Sequence, residues 1–256
     1  CTATGGFGRI GRLMNRKSMS RSLLCSWLVA LLAPCLSHGA DDRPNQLTEA
    51  EISQGWKLLF DGKSLSGWRS YKSEQVSESW KVVGGALTLT GANAGDIMTS
   101  AEFGDFEMAF EWRISSGGNS GVIYRVGLGK AASYRTGPEY QILDNQNAKD
   151  NKLDNHLAGS LYDIGSGVAR DASKPAGEWN ASRIIVRGWK VEHWLNGKQL
   201  VAVDLESPEG KSALQKSKFK NWPEFASLSK GHIALQDHGD QVAYRSLRIK
   251  ELGAAQ

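Results

Sequence analysis

The sequence predicts an all-β chain, an antiparallel β-sandwich, on three observations. The first is strict alternation: Phe106, Met108, Phe110 and Trp112 interleave with Asp105, Glu107, Glu111 and Arg113, so one side of that run is dry and the other charged. The second is punctuation, because short apolar runs are separated throughout by Gly, Asn, Asp and Ser clusters. The third is the lack of any long helical period. In chain order, strands are predicted over 56–60, 79–83, 86–89, 106–114, 121–126, 140–143, 183–187, 190–195, 199–203, 232–236 and 242–250. The Thr48 to Glu51 stretch has a capping-box pattern that predicts a short helix before Trp56. A second short helix is expected within 208–218. Gly117 to Gly121 reads as a turn rich in positive φ, and Asn196-Gly197 as a two-residue hairpin.

The first forty residues follow a different rule. They hold all three cysteines, five basic residues and no acid. Taking those five from the 31 Lys and Arg leaves 26 against 27 Asp and Glu, so the formal charge of +4 becomes −1. Met19-Ser-Arg-Ser, the apolar run from Leu23 to Leu36 and the exit Ser37-His-Gly-Ala40 have the form of a secretory signal peptide, with cleavage expected near Gly39 or Ala40. Residues 1–18 are then an upstream extension, 19–40 the signal, 41–55 a tail with a short helix, and 56–252 the β-sandwich domain. A periplasmic or secreted location is expected, with Pro34 speaking against lipid anchoring at Cys35 and no membrane span in the mature chain. The mature chain lacks cysteine, which excludes disulfides and thiolate metal sites from its chemistry. It also lacks a basic stripe, so no nucleic-acid partner is expected. Gly6-Phe-Gly-Arg-Ile-Gly11 matches a dinucleotide fingerprint, but only five residues precede it and Leu31 lies where the acid is needed.

Eight segments carry a resemblance: GKSLSGW at 62–68, DFEMAFEWRI at 105–114, GNSGV at 118–122, EYQILDN at 139–145, GSLYD at 159–163, GEWN at 177–180, EHWLNG at 192–197 and GHIALQDHG at 231–239. In this order they resemble the 3-keto-disaccharide hydrolase family, over roughly 56–252 of this chain. The resemblance implies a concanavalin A-like jelly roll that cleaves glycosides whose sugar carries a ketone at C3. It also implies a carbohydrate substrate supplied by an upstream ketone-forming oxidoreductase. A lectin-like, non-catalytic module on the same fold is the alternative, since fold does not fix function.

A C3 ketone acidifies the C2 hydrogen, so one base and one oxyanion stabiliser suffice for elimination at C1; an ordinary glycosidase instead needs two carboxylates. His238, at a strand end beside Gly239, is the first candidate base, with His156 and His193 as rivals. His193 sits in an alternating run and could equally be a core histidine. Glu139 is read as a metal ligand or as the hydrogen-bond partner that orients the sugar. Glu111, Arg125, Gln141, Tyr162 and Gln236 are expected to bind substrate, with Glu111, Arg125, Glu139, Gln141, Tyr162 and His238 meeting on one concave polar face. Arg125, Gln141 or a divalent metal ion would suit a developing enolate. No metal-binding spacing is present in the sequence, so a divalent cation stays open.

Overall fold

A computed structural model describes residues 43–165 and 170–253; the extension, signal-peptide and dinucleotide expectations for 1–40 lie outside them. Helix α1 (Glu49–Ser53) starts at Thr48, whose side chain accepts from the Glu51 N–H while the Glu51 carboxylate accepts from the Thr48 N–H, satisfying two otherwise orphaned donors. The strands are β1 (Lys57–Leu58), β2 (Trp68–Ser70), β3 (Trp80–Val83), β4 (Ala86–Leu89), β5 (Ile97–Thr99), β6 (Phe106–Ile114), β7 (Asn119–Val126), β8 (Glu139–Leu143), β9 (Asn180–Arg187), β10 (Lys190–Leu195), β11 (Lys198–Asp204), β12 (His232–Leu235) and β13 (Val242–Glu251). Helix α2 (Pro208–Lys216) begins at Ser207, whose hydroxyl accepts from the Gly210 N–H.

Two antiparallel sheets make the predicted sandwich. One runs β11-β10-β9-β6-β13-β4-β3, with β1 added beside β13; the other runs β2-β5-β12-β7-β8. Strands β2 and β5 were not anticipated, because three-residue runs are too short to show a period. The dry face of β6 packs inward as its alternation requires: Phe106, Met108, Phe110 and Trp112 are buried while Glu107, Glu111 and Arg113 turn to the outer face. Gly117 alone of the expected turn has positive φ, and Asn119 already begins β7.

Polar groups inside the sandwich fix how the sheets meet. Ser182 of β9 accepts from the Trp112 indole at 2.8 Å and lies 2.7 Å from the Tyr140 hydroxyl, which also donates to the Trp194 carbonyl at 3.1 Å. Tyr124 of β7 reaches His193 of β10, its hydroxyl 3.2 Å from Nε2, while His193 Nδ1 faces the Gly159 carbonyl at 3.2 Å. Tyr140 packs on the same imidazole with ring centroids 4.8 Å apart. His193 is therefore a core histidine tying the two sheets together, and its place between them keeps it from acting as a base on a bound sugar.

Strand β7 carries one more residue than β12 opposite it: His232 pairs Val126 while Ala234 pairs Ile123. The extra residue is Arg125, at φ 53°, a β-bulge that swings its side chain off the sheet's outer face. Its guanidinium donates to the Gly104 and Gly188 carbonyls and to Asp105.

Burial lowers the His193 imidazole to about 3, against an ordinary 6.5. As pH falls below 6.5 the unfolded chain takes up this proton and the folded one does not, so stability from His193 is complete above 6.5 and is lost towards pH 3. Urea unfolding between pH 7 and 4 should show His193→Gln losing less stability with acid than the parent, by up to ~1.4 kcal/mol per pH unit. Parallel slopes for the two proteins would contradict this.

Candidate active site

The outer face of the five-stranded sheet is built from alternate residues of strands whose inner faces are apolar. On β8, Tyr140 and Ile142 enter the core, which sends Glu139 and Gln141 outward. The register then lines up a row. Leu235 pairs both Ile97 and Val122, which sets Gln236 beside Asp96 on one flank and Gly121 on the other, and Gly121 pairs Gln141. The Gln236 N–H donates to the Gly121 carbonyl at 2.9 Å, holding that register. Asp96, Gln236, Gly121 and Gln141 thus cross the sheet in order.

Glu139 lies one row away, opposite Ile123, and its carboxyl leans over Gly121. A Cβ at position 121 would overlap Glu139 Oε1. Glycine is needed here for space and not for a turn, which replaces the turn expected from the sequence. Burial pushes the Glu139 carboxyl up to about 8; the Lys218 charge opposes the rise, Asp96 adds to it, the Gln236 side chain opposes it and Asp150 adds again. At neutral pH the group keeps its proton. Next to it, Gln141 Oε1 and Gln236 Oε1 are buried without a hydrogen-bond donor among the described residues. Two unpaired carbonyl oxygens beside the single O–H of a protonated acid leave the site short of donors, and sugar hydroxyls supply donors.

Loops wall this face. Residues 159–162 run along the free edge of β8: the Gln141 N–H donates to the Ser160 carbonyl at 3.1 Å and the Tyr162 N–H to the Glu139 carbonyl at 3.0 Å. Tyr162 donates its hydroxyl to Asp150 Oδ2 at 2.8 Å and stacks on His156, centroids 4.4 Å apart. His156 Nδ1 lies 2.7 Å from Asp150 Oδ1 and Nε2 3.2 Å from Asp163 Oδ1. With both nitrogens on carboxylates, His156 braces the loop and has none left for a substrate proton. On the far rim, Asp96 accepts from Ser133 and from the Asp237 N–H. Burial raises the Asp96 carboxyl; bonds from Ser133 and the Asp237 N–H lower it, the Asp237 charge raises it and the nearby His238 charge lowers it. His238 itself is exposed in the turn after β12.

The structure therefore brings Glu139, Gln141, Gln236 and Tyr162 to one face, with His238 at its rim. Glu111 stands on the outer face of the other sheet, bound to Arg245 at 2.8 and 3.3 Å and to Ser246 at 3.2 Å, because "not core" on β6 means the opposite side of the sandwich. Arg125 is withdrawn by its bulge. The expected gathering of six residues on one concave face is corrected by these two. Among the described residues no three His, Cys, Asp or Glu side chains form a set that could hold a metal ion.

A family model described as the 3-keto-alpha-glucoside-1,2-lyase-like domain matches residues 55–250. The chain belongs to this family. It is 34% identical over 231 residues to a 3-keto-disaccharide hydrolase of Bacteroides thetaiotaomicron, covering 78% of this chain and 79% of that one. It is also similar to two solved candidate glycosyl hydrolases from Parabacteroides distasonis. The first has a TM-score of 0.77 at 32% identity, covering 82% of this chain and all of its own; the second has 0.63 at 27%, covering 77% and 99%. Its carbohydrate-active character and jelly-roll sandwich agree with these relatives.

Sequence reasoning missed Asp96, Gly121, Asp150 and Lys218. Asp96, the residue just before β5, alternates with Met98, a signal hidden by the brevity of that strand. The raised Glu139 carboxyl has a signed consequence: the unfolded chain releases this proton near 4.5 and the folded one near 8, so stability falls as pH rises through that interval. Glu139→Gln should remove that fall, up to ~1.4 kcal/mol per pH unit in denaturant titrations. Gly121→Ala should fold with a cost of about 1–3 kcal/mol from overpacking, and should displace the carboxyl enough to remove the same fall. An unchanged pH slope in either variant would contradict the placement of Glu139.

Proposed function

We propose that this chain cleaves the glycosidic bond of sugars carrying a ketone at C3, by removal of the C2 proton and elimination of the C1 substituent, with water adding to the enone when the net outcome is hydrolysis. The observation that carries this reading is Glu139: a buried carboxyl that keeps its proton at neutral pH, beside two glutamine oxygens without donors. A protonated carboxyl can hand its proton to a departing glycosidic oxygen, and acids tuned near the working pH do this best. The Gln141 and Gln236 oxygens accept from sugar hydroxyls and fix the ring. His238, at the rim beside Asp96, takes the C2 proton.

Atoms balance along this route. The C2–H pair becomes C2=C3 as the ketone oxygen becomes an oxyanion. On collapse the ketone returns, C1=C2 forms, and the C1–O pair leaves with the proton from Glu139. A ketone-forming oxidoreductase upstream is part of this proposal, since an unoxidised sugar has no acidic C2 hydrogen. So is export, for which the 19–40 pattern is the support. N-terminal sequencing of secreted protein should begin near Ala40 or Asp41, and a mature chain retaining Cys1 would refute it.

Aglycone release from a 3-keto-glucoside should exceed that from its unoxidised parent by at least ~10³-fold, a conservative figure beside the 10²–10³ attached to one electrostatic stabiliser. Equal release from both would indicate an ordinary glycosidase, and release from neither a sugar-binding module. His238→Ala should fold normally and lose roughly 10²–10⁴ in turnover, the usual share of a positioned acid or base. Activity should also decline as pH rises through about 8, where Glu139 gives up its proton. Parent-like turnover in His238→Ala would remove that residue from the mechanism.

A further inference from the structure

Lys218 opens the 3-10 turn Lys218–Asn221 that follows α2, and its N–H is fixed by Asp163 Oδ2 at 2.6 Å. Its ammonium lies 4.2 Å from the centroid of the Tyr162 ring and 5.2 Å from that of Phe219. His156 also stacks on Tyr162, centroids 4.4 Å apart, so the phenol has both an imidazole and an ammonium against it. Tyr162 in turn is bonded through its N–H to the Glu139 carbonyl, which sets the ring and the ammonium above it at the wall of the buried acid. Lys218 is exposed, and among the described residues its ammonium has no ion pair or hydrogen bond; it lies against two aromatic faces. Ring faces hold a cation without using its N–H donors.

We infer that Lys218 is the cation that receives the oxyanion formed when the substrate ketone becomes an enolate. This rests on the C3-ketone reading above and adds to it the group that stabilises the intermediate. The proton leaves C2 for the base, the C2–H pair forms C2=C3, and the ketone π pair moves onto oxygen, where the three N–H donors of Lys218 meet it. A compact ammonium on a flexible stem suits an oxygen that gains and then loses its charge.

The test separates enolate formation from cleavage. A 1,5-anhydro sugar bearing the C3 ketone has no exocyclic oxygen at C1 and so no aglycone to release, and enolate formation is read from exchange of its C2 hydrogen with deuterated water. Lys218→Met should melt as the parent does and lose ~10²–10³-fold in exchange rate, with Lys218→Arg recovering part of the loss. Cleavage by Lys218→Met should also show its alkaline limb at higher pH, because the charge that holds down Glu139 is gone. Exchange within about threefold of the parent overturns the assignment, being far short of one electrostatic stabiliser. A loss with an unmoved alkaline limb and no recovery in Lys218→Arg marks a structural role and overturns it equally. Parent protein that neither exchanges nor prefers ketone-bearing glycosides overturns the parent reading, and Lys218 with it.

Discussion

The Glu139 carboxyl occupies the space left by the missing side chain of Gly121. That contact is possible only because β7 and β8 pair in one register, and it removes the carboxyl from water. An ionised carboxylate so placed would bear a large desolvation cost, so the group holds its proton instead. Covering it takes the 159–162 segment along β8, the Tyr162 ring and the loop bearing Ser133, which closes on Asp96. The face is held by side chains that answer to one another and not to a ligand, except at the two glutamine oxygens and the Lys218 ammonium.

Strand β8 is buried on both faces, and the two do different work. Tyr140, one residue from Glu139, is locked in the core by Ser182, the Trp194 carbonyl and the His193 ring. Rigid packing on the inner face sets where the outer carboxyl stands, which is the support that a preorganised acid needs. Histidine chemistry is divided in the same way. His193 holds the sheets together, His156 braces a loop between two aspartates, and His238 is left exposed beside Asp96. The two buried titrating groups also act on stability with opposite sign: His193 favours the folded chain as pH rises and Glu139 disfavours it, over ranges that overlap between 4.5 and 6.5.

Alternation made much of this legible. It placed Trp112 in the core, put Glu139 and Gln141 together against Tyr140 and Ile142, and marked the strand end that carries Gln236 and His238. Period alone says that a residue faces away from the core, and in a sandwich there are two such directions. Glu111 and Glu139 therefore looked alike in sequence and stand on opposite sides of the molecule, because the choice is made by pairing between distant strands: β6 with β13 and β9, β8 with β7. Arg125 was lost to a bulge, which adds one residue without leaving a local mark. Asp96 was lost with a three-residue strand. Gly121 looked like a turn glycine because its reason lies 18 positions away, in the carboxyl of Glu139. Lys218, in a polar stretch after a helix, had no signal at all until Tyr162 was seen beneath it.

The proton on Glu139 is the claim on which the rest stands, and infrared difference titration of its carboxyl band, taken as parent minus Glu139→Gln, measures it directly. The account predicts a protonated-carboxyl band that persists at neutral pH and disappears with a midpoint near 8. A midpoint near the ordinary 4.5 would mean that the group is hydrated and charged, and would contradict both the buried site and its role as an acid.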